Sequence, residues 1–265
     1  MPNSLDDPKD NRLTVISVSL LACVLQNILE KGLGHGVTTW LSGAHHLAIS
    51  TTARQSDIET RWISANVTLA NLVFGEVCWL LLRNPKRYQP ATRCFLVLTM
   101  MGNIFTGTGC FLFSGVFSFG DWAAVIRGLQ PRWLWQLGLA ALGIVSDYAS
   151  MRLLATALKP FRTDRNPSQR LRALCWIPYL SDGILPELGG LFHPLSPFYV
   201  MGSARPSTLG ANAGLLSMPF RVREDHPNED QFVAPISRSL ARMTTATVLS
   251  LLFLFVLDRG LNWSR

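Results

Sequence analysis

Charged residues are scarce in this chain of 265 residues. Asp, Glu, Lys and Arg make up 15% of it, whereas they make up about a quarter of an ordinary soluble domain. Glycine shows no fixed period, which excludes a collagen-like protein, and five cysteines are too few for a disulfide scaffold. Hydrophobic residues reach 48%, which excludes a disordered chain. The few charges cluster between long uncharged stretches, as in a multi-pass membrane protein.

Basic residues outnumber acidic ones by 24 to 17, giving a net charge of +7. They gather beside the ends of apolar stretches, and no nucleic-acid-binding module accompanies them, so we predict the lipid bilayer as a partner and no nucleic acid. The most basic loops, around residues 83–93 and 159–172, fall on the same side as the N-terminus. The positive-inside rule therefore predicts a cytoplasmic N-terminus.

Five apolar stretches predict regular spans, at residues 13–29, 62–82, 94–120, 133–158 and 243–257. A further apolar region, residues 173–220, is broken by prolines and glycines and predicts one or two irregular, partly re-entrant spans. Residues 221–242 form a polar loop. We therefore predict an all-α fold: a multi-pass transmembrane helical bundle of about six spans, or seven if the broken region crosses twice. It forms one integral membrane domain over residues 1–265, with the core motifs within residues 13–122.

Ionisable and amide side chains inside apolar spans are the first candidates for function, because such groups are costly in hydrocarbon. One set predicts a buried polar core. Its members are Lys31, Asn71, Asn103 and Asp121. Glu76 and Asp147 are two further carboxylates, in the second and fourth predicted spans.

Three segments resemble motifs of the site-2-protease-like intramembrane zinc metalloproteases. The end of the first span, residues 29–43, is similar to that family's H-E-x-G-H helix, with His35 as its second histidine. Residues 67–72 (Val-Thr-Leu-Ala-Asn-Leu) are similar to the family's G-P-x-x-N-L segment, and residues 103–122 resemble the region that carries the third metal ligand, here Asp121. The resemblance implies a helical membrane fold and a zinc site.

The first motif departs from the family at its catalytic positions. Aligned on His35, the chain has Lys31 in place of the first zinc ligand and Gly32 in place of the catalytic glutamate. In an α-helix, Glu30 and His35 would lie about 140° apart, so Glu30 could replace the missing ligand only if the nearby glycines distort the helix. His45 and His46 are alternative ligands.

These observations favour a non-catalytic membrane protein that holds a partner helix or a lipid, without a cofactor and with Lys31 beside Asp121. One alternative is an active zinc metallohydrolase with a rearranged site, in which Glu30, His35 and Asp121 bind the metal and Glu76 or Asp147 is the base. Another alternative is a structural or assembly subunit of a larger membrane complex.

Overall fold

The computed structural model describes residues 9–50, 54–84, 87–162, 167–190, 210–222, 233–257 and 259–264. Within these ranges the fold is helical apart from a small sheet. The α-helices are α1 (Arg12–Asn27), α2 (Thr38–Leu41), α3 (Arg61–Leu82), α4 (Pro90–Phe117), α5 (Asp121–Val125), α6 (Arg132–Leu158), α7 (Pro167–Gly190), α8 (Gly214–Arg221) and α9 (Leu240–Leu252). A first π-helix (Ile28–Val37) follows α1, a second π-helix (Phe253–Leu257) follows α9, and the strands are β1 (His46–Ile49), β2 (Arg54–Ser56) and β3 (Leu261–Ser264).

Five helices are long and apolar enough to cross a membrane, and they coincide with the five regular spans predicted from the sequence. The prediction of an all-α transmembrane bundle is confirmed. The helices are Arg12–Leu41, Arg61–Leu82, Pro90–Phe117, Arg132–Phe161 and Leu240–Leu257. Helix α4 is the most buried and packs against α1, α3 and α6. Helix α6 exposes large apolar side chains, including Leu137 and Ile144, as a lipid-facing helix does.

Local signals set several helix boundaries. The side chain of Asn11 accepts a hydrogen bond from the backbone N–H of Thr14 at the start of α1, and Thr60 caps α3 in the same way. Helix α4 begins at Pro90, a residue well suited to the first helical position. It ends where Ser118 adopts a left-handed conformation, with φ 57°.

The predicted broken region begins as helix α7, which contains Pro178 and Pro186 in its interior. Residues 191–209, which hold its other prolines as far as Pro206, lie outside the described residues. The region resumes as a 3-10 turn (Ala211–Ala213) and α8, which packs against α7 and has Pro219 in its interior. Of the polar loop predicted at residues 221–242, residues 223–232 lie outside the described residues, and α9 already begins at Leu240.

One end of the bundle, the N-terminal end, is held by a buried ion pair. The guanidinium of Arg170 donates to both carboxylate oxygens of Asp10, at 2.7 and 3.0 Å, and to the backbone carbonyls of Val233 and Ala234, at 2.8 and 3.0 Å. Both charged side chains are 9% exposed. The starts of α1 and α7 and the segment before α9 therefore meet at this end.

We expect the variant Arg170→Lys to lower the free energy of unfolding by about 1–2 kcal/mol, because lysine cannot reproduce the planar fork that reaches Asp10 and the two carbonyls. Arg238→Lys is the matched control, since Arg238 is exposed. Thermal melting of both variants in detergent measures the difference. Equal melting temperatures would contradict the assigned role of Arg170.

The opposite end, the sheet end, carries a three-stranded antiparallel sheet in the order β2-β1-β3. Leu47 of β1 is in register with Ser56 of β2 and with Trp263 of β3. The C-terminal strand is thereby joined to the loop that follows the first span. Successive connections between the spans lie alternately at the N-terminal end and at the sheet end, as in a multi-pass topology.

Helix α6 approaches α4 at two glycines. A Cβ atom placed on Gly143 would lie 2.5 Å from the backbone nitrogen of Leu112, and one placed on Gly115 would lie 2.5 Å from the backbone nitrogen of Ala140. Real Cβ atoms do not approach backbone this closely. The two glycines therefore allow the backbones of α4 and α6 to approach more closely than any larger residue would permit.

Candidate functional site

The first span changes its helical type where the motif begins. Helix α1 ends at Asn27 and continues without a break as the ten-residue π-helix Ile28–Val37. In a π-helix the hydrogen bonds join residues five apart, and such segments are rare and frequent at functional sites. Glu30 and His35, five residues apart, are thus brought toward the same side of the helix. This is the distortion that the sequence required for them to act together.

Glycines in the π-helix allow neighbouring elements to come close. A Cβ atom on Gly34 would lie 3.1 Å from Cα of Val67 on α3, and one on Gly36 would lie 2.6 Å from Cδ1 of Ile49 on β1. The side-chain amide of Asn66 on α3 also donates to the hydroxyl of Thr38. The π-helix is therefore packed directly on α3.

A compact group of ionisable side chains, the polar cluster, consists of Glu30, Lys31, His35 and Asp121. The ammonium of Lys31 lies 2.6 Å from Oε1 of Glu30, with the two side chains 22% and 17% exposed. Nε2 of His35 lies 3.9 Å from Oδ1 of Asp121. The charge of Asp121 also acts on Lys31. The four residues therefore lie in one polar neighbourhood, in which Lys31 is paired with Glu30.

Asp121 is positioned by the turn that follows α4. Gly120, with φ 93°, supplies a conformation that other residues rarely adopt, and Asp121 then begins α5. The indole of Trp122 donates to the hydroxyl of Thr68 at 2.7 Å and packs on Phe111, with ring centroids 4.8 Å apart. These contacts hold α5 against α3 and α4, so the Asp121 carboxylate faces the π-helix.

Cys110 belongs to the same neighbourhood, although no pattern in the sequence singles it out. Its thiol experiences the charges of Asp121, Glu30 and Lys31 and is hydrogen-bonded with Thr68. Cys110 lies on α4, eleven residues before Asp121, and nothing in that spacing marks it as a neighbour of the cluster.

The polar cluster does not fit a zinc ion. A catalytic zinc takes three protein ligands, and among the described residues no three His, Cys, Asp or Glu side chains are grouped as a metal would need. Glu30, one of the three predicted ligands, is paired with the Lys31 ammonium. His45 and His46 are exposed at the start of β1 and are not part of the polar cluster.

Asp57 organises the turn that holds those two histidines. Its carboxylate accepts hydrogen bonds from the backbone N–H groups of His45, at 3.1 Å, and His46, at 3.2 Å. Desolvation raises the pKa of Asp57, but these backbone donors outweigh it and the pKa lies below its ordinary value. Asp57 therefore stabilises β1 as a carboxylate.

The two predicted bases lie away from the polar cluster. Glu76 is exposed on α3, nine residues beyond the Val67 contact, which is about 13 Å along the helix axis. Asp147 is half-buried on α6 and interacts with the charge of Arg221 on α8. Neither carboxylate is placed to remove a proton from a molecule held at His35.

The two asparagines of the predicted polar core are both fully buried. The side-chain nitrogen of Asn103 donates to the carbonyl of Thr99 at 2.8 Å. The side-chain amide of Asn71 has no hydrogen-bond partner among the described residues. Both amides lie within the packed helices α3 and α4, and neither forms a hydrogen bond with the polar cluster in the described part of the chain.

An apolar pocket of about 570 Å³ lies beside the polar cluster. Its walls are the first π-helix, the second π-helix and the sheet. Lys31 is the one charged residue among the described residues that line it, and Asn27 and Ser50 are the only other residues there with polar side chains, apart from the indole of Trp40. The remaining lining residues are Ile28, Gly32, Leu33, Gly36, Val37, Leu47, Ile49, Phe253, Leu257 and Leu261.

The pocket opens at the surface of the bundle, because several of its lining side chains remain partly exposed. Leu33 and Val37 are each 42% exposed and Trp40 is 48% exposed. A volume of this size falls within the range of small-molecule sites, which is about 300–1,000 Å³. Nothing in the sequence pattern indicates this pocket, because the second π-helix and β3, which line part of it, lie far along the chain from the first π-helix.

No protein-family model matches this chain, and comparisons with curated proteins and with solved structures find no match.

Proposed function

We propose that this protein is a non-catalytic membrane protein that binds a lipid in the apolar pocket, with its N-terminal end in the cytoplasm. The observation that carries the proposal is the pocket itself: an apolar volume of about 570 Å³, open to the bundle surface and walled by both π-helices. An open apolar pocket at the edge of a membrane bundle suits a molecule that arrives from the bilayer. The resemblance to site-2-type proteases agrees with this role, since those enzymes hold a substrate at the corresponding place.

The polar cluster supports binding rather than hydrolysis. Zinc-dependent hydrolysis needs a metal to activate water and a carboxylate to take its proton. Lys31 occupies the position of the first ligand and neutralises Glu30, and Gly32 stands at the position of the base. These groups supply neither function.

We expect Gly32→Leu to reduce the lipid that copurifies with the protein. A Cβ atom on Gly32 meets only a side-chain carbon of Ile28, at 3.9 Å, so a leucine has room to extend into the pocket without striking backbone. Gly138→Leu on α6 is the matched control, because that position also faces open space but is not part of the pocket. Native mass spectrometry of each purified protein measures bound lipid.

Other results would favour other functions. Equal lipid content in the two variants would contradict the pocket as the binding site. Stoichiometric zinc that is lost in His35→Ala would instead support a rearranged metallohydrolase. A protein that copurifies in stoichiometric amount with both variants would support an assembly subunit.

The proposed orientation is tested by labelling from each side of the membrane. We expect a cysteine at Gln89 to react from the cytoplasm and a cysteine at Ser56 to react from the opposite side, because the basic loops gather at the N-terminal end. The native cysteines give little background: four are buried and Cys110 is half-buried. Labelling of both positions from one side would contradict the topology.

A further inference from the structure

The charge next to the pocket restricts the chemistry of what the pocket can hold. The polar cluster contains two carboxylates, Glu30 and Asp121, and the ammonium of Lys31 lies 2.6 Å from the first and near the second. His35 adds a positive charge only when it is protonated. With His35 neutral, the cluster carries one net negative charge. Lys31 is therefore already compensated, although it is the charged residue that faces the pocket.

A ligand carboxylate is disfavoured by this arrangement. Binding at Lys31 would bring a third negative charge beside Glu30 and Asp121, in a setting of low polarity where like charges repel strongly. A ligand amine is disfavoured at Lys31 as well, because two ammonium groups would be brought together in the same setting of low polarity. Charged head groups of both signs are therefore excluded from the Lys31 side of the pocket.

A neutral oxygen acceptor can bind the N–H donors of Lys31 that Glu30 does not use. An ammonium group has three N–H donors, and among the described residues Glu30 accepts one of them. A hydroxyl or carbonyl oxygen can accept another without adding charge to the cluster. The rest of the pocket wall, from Leu33 and Val37 to Leu257 and Leu261, offers only apolar surface.

We propose that the occupant is an uncharged lipid with a single oxygen acceptor, a long-chain alcohol or ketone, whose oxygen is bound by the Lys31 ammonium while its chain fills the apolar pocket. This inference rests on the proposed lipid-binding function and specifies its ligand. Trp40, which is 48% exposed, lies on the open side of the pocket.

Four probes with the same chain test the proposal: dodecanol, dodecanoic acid, dodecylamine and dodecane. Each is added to the purified full chain in detergent, and the bound fraction is measured by native mass spectrometry over a concentration series. We expect dodecanol to bind about tenfold more tightly than dodecane, as one hydrogen bond from a charged donor allows. The acid and the amine should bind more weakly than the alcohol. A methyl ketone of the same length should match the alcohol, which identifies the oxygen as an acceptor.

The double variant K31M/E30Q removes the donor together with the carboxylate that is paired with it. In it, the preference for dodecanol over dodecane should disappear while dodecane binding persists. Equal binding of alcohol and hydrocarbon by the unaltered protein, or tightest binding of the acid, would overturn the inference and leave the lipid-binding function intact. Failure of every probe to bind, or binding that Gly32→Leu does not reduce, would overturn the lipid-binding function itself. The ranking of probes on the unaltered protein needs no variant to fold.

Discussion

Replacing Gly143 by valine is expected to separate α6 from α4 and to lower the free energy of unfolding by roughly 3 kcal/mol or more. The added Cβ atom would lie 2.5 Å from the backbone nitrogen of Leu112 and 2.6 Å from its Cα. Backbone atoms cannot turn aside as the end of a flexible side chain can, so the whole helix must move. Helix α6 packs mainly on α4 and most of its apolar window is exposed, so a change at this contact affects much of its packing.

Gly138→Val is the matched control for Gly143→Val. Gly138 lies on the same helix with no atom within 4 Å of an added Cβ, and the two substitutions change intrinsic helix propensity equally. Thermal melting in detergent, followed by size-exclusion chromatography, compares the two variants. Similar melting temperatures would show that the close contact between α4 and α6 does not stabilise the bundle.

The second large effect is expected for Lys31→Met, which leaves the carboxylate of Glu30 without its ammonium. Removal of one partner from a largely buried pair is costly because the remaining charge stays desolvated, and we expect a loss of about 3 kcal/mol. The variant Lys9→Met is the control, since Lys9 is exposed ahead of α1. Denaturant titration in a fixed detergent measures both.

A second substitution distinguishes charge from packing at this position. Adding Glu30→Gln to Lys31→Met removes the carboxylate nearest to the lost ammonium, so most of the stability should return. Equal stability of Lys31→Met and Lys9→Met would show that the ion pair does not stabilise the π-helix. The same conclusion would follow if adding Glu30→Gln recovered none of the lost stability.

The sequence contained enough information to predict the regular spans. Spans are predicted from long uncharged runs and from basic loops at their ends. Both features are visible in the sequence and require no knowledge of tertiary contacts. Helix α7 shows where this reading becomes weaker, since Pro178 and Pro186 predict irregularity and the chain nevertheless stays helical through both. Packing by neighbouring helices compensates for what each proline removes.

Part of the candidate site was also predictable. Lys31, His35 and Asp121 could be grouped because a spacing of four places two of them on one face of a helix and the resemblance placed the third nearby. The π-helix could only be stated as a condition, since glycines permit such a distortion without requiring it. In the structure Gly34 packs closely on Val67 of α3. That contact is tertiary, so the sequence alone does not reveal it.

The pocket could not be predicted, because its walls are distant in the sequence. Lys31 lies in the first span, while Phe253 lies in the last one and Leu261 follows it. No periodicity or spacing connects such segments. The pairing of β1 with β3, which brings them together, arises from short strands whose residues carry no clear alternation.

That strand pairing also orders the events of biosynthesis. His46 is in register with Ser264. Strand β1 therefore cannot pair with β3 until nearly all of the described chain has been made and the last span has been inserted. Contacts between such distant residues form late because the loop that they close is long. Until β3 has joined the sheet, the pocket therefore lacks the wall that Leu261 supplies, and the apolar side of the first π-helix is more open than in the finished protein.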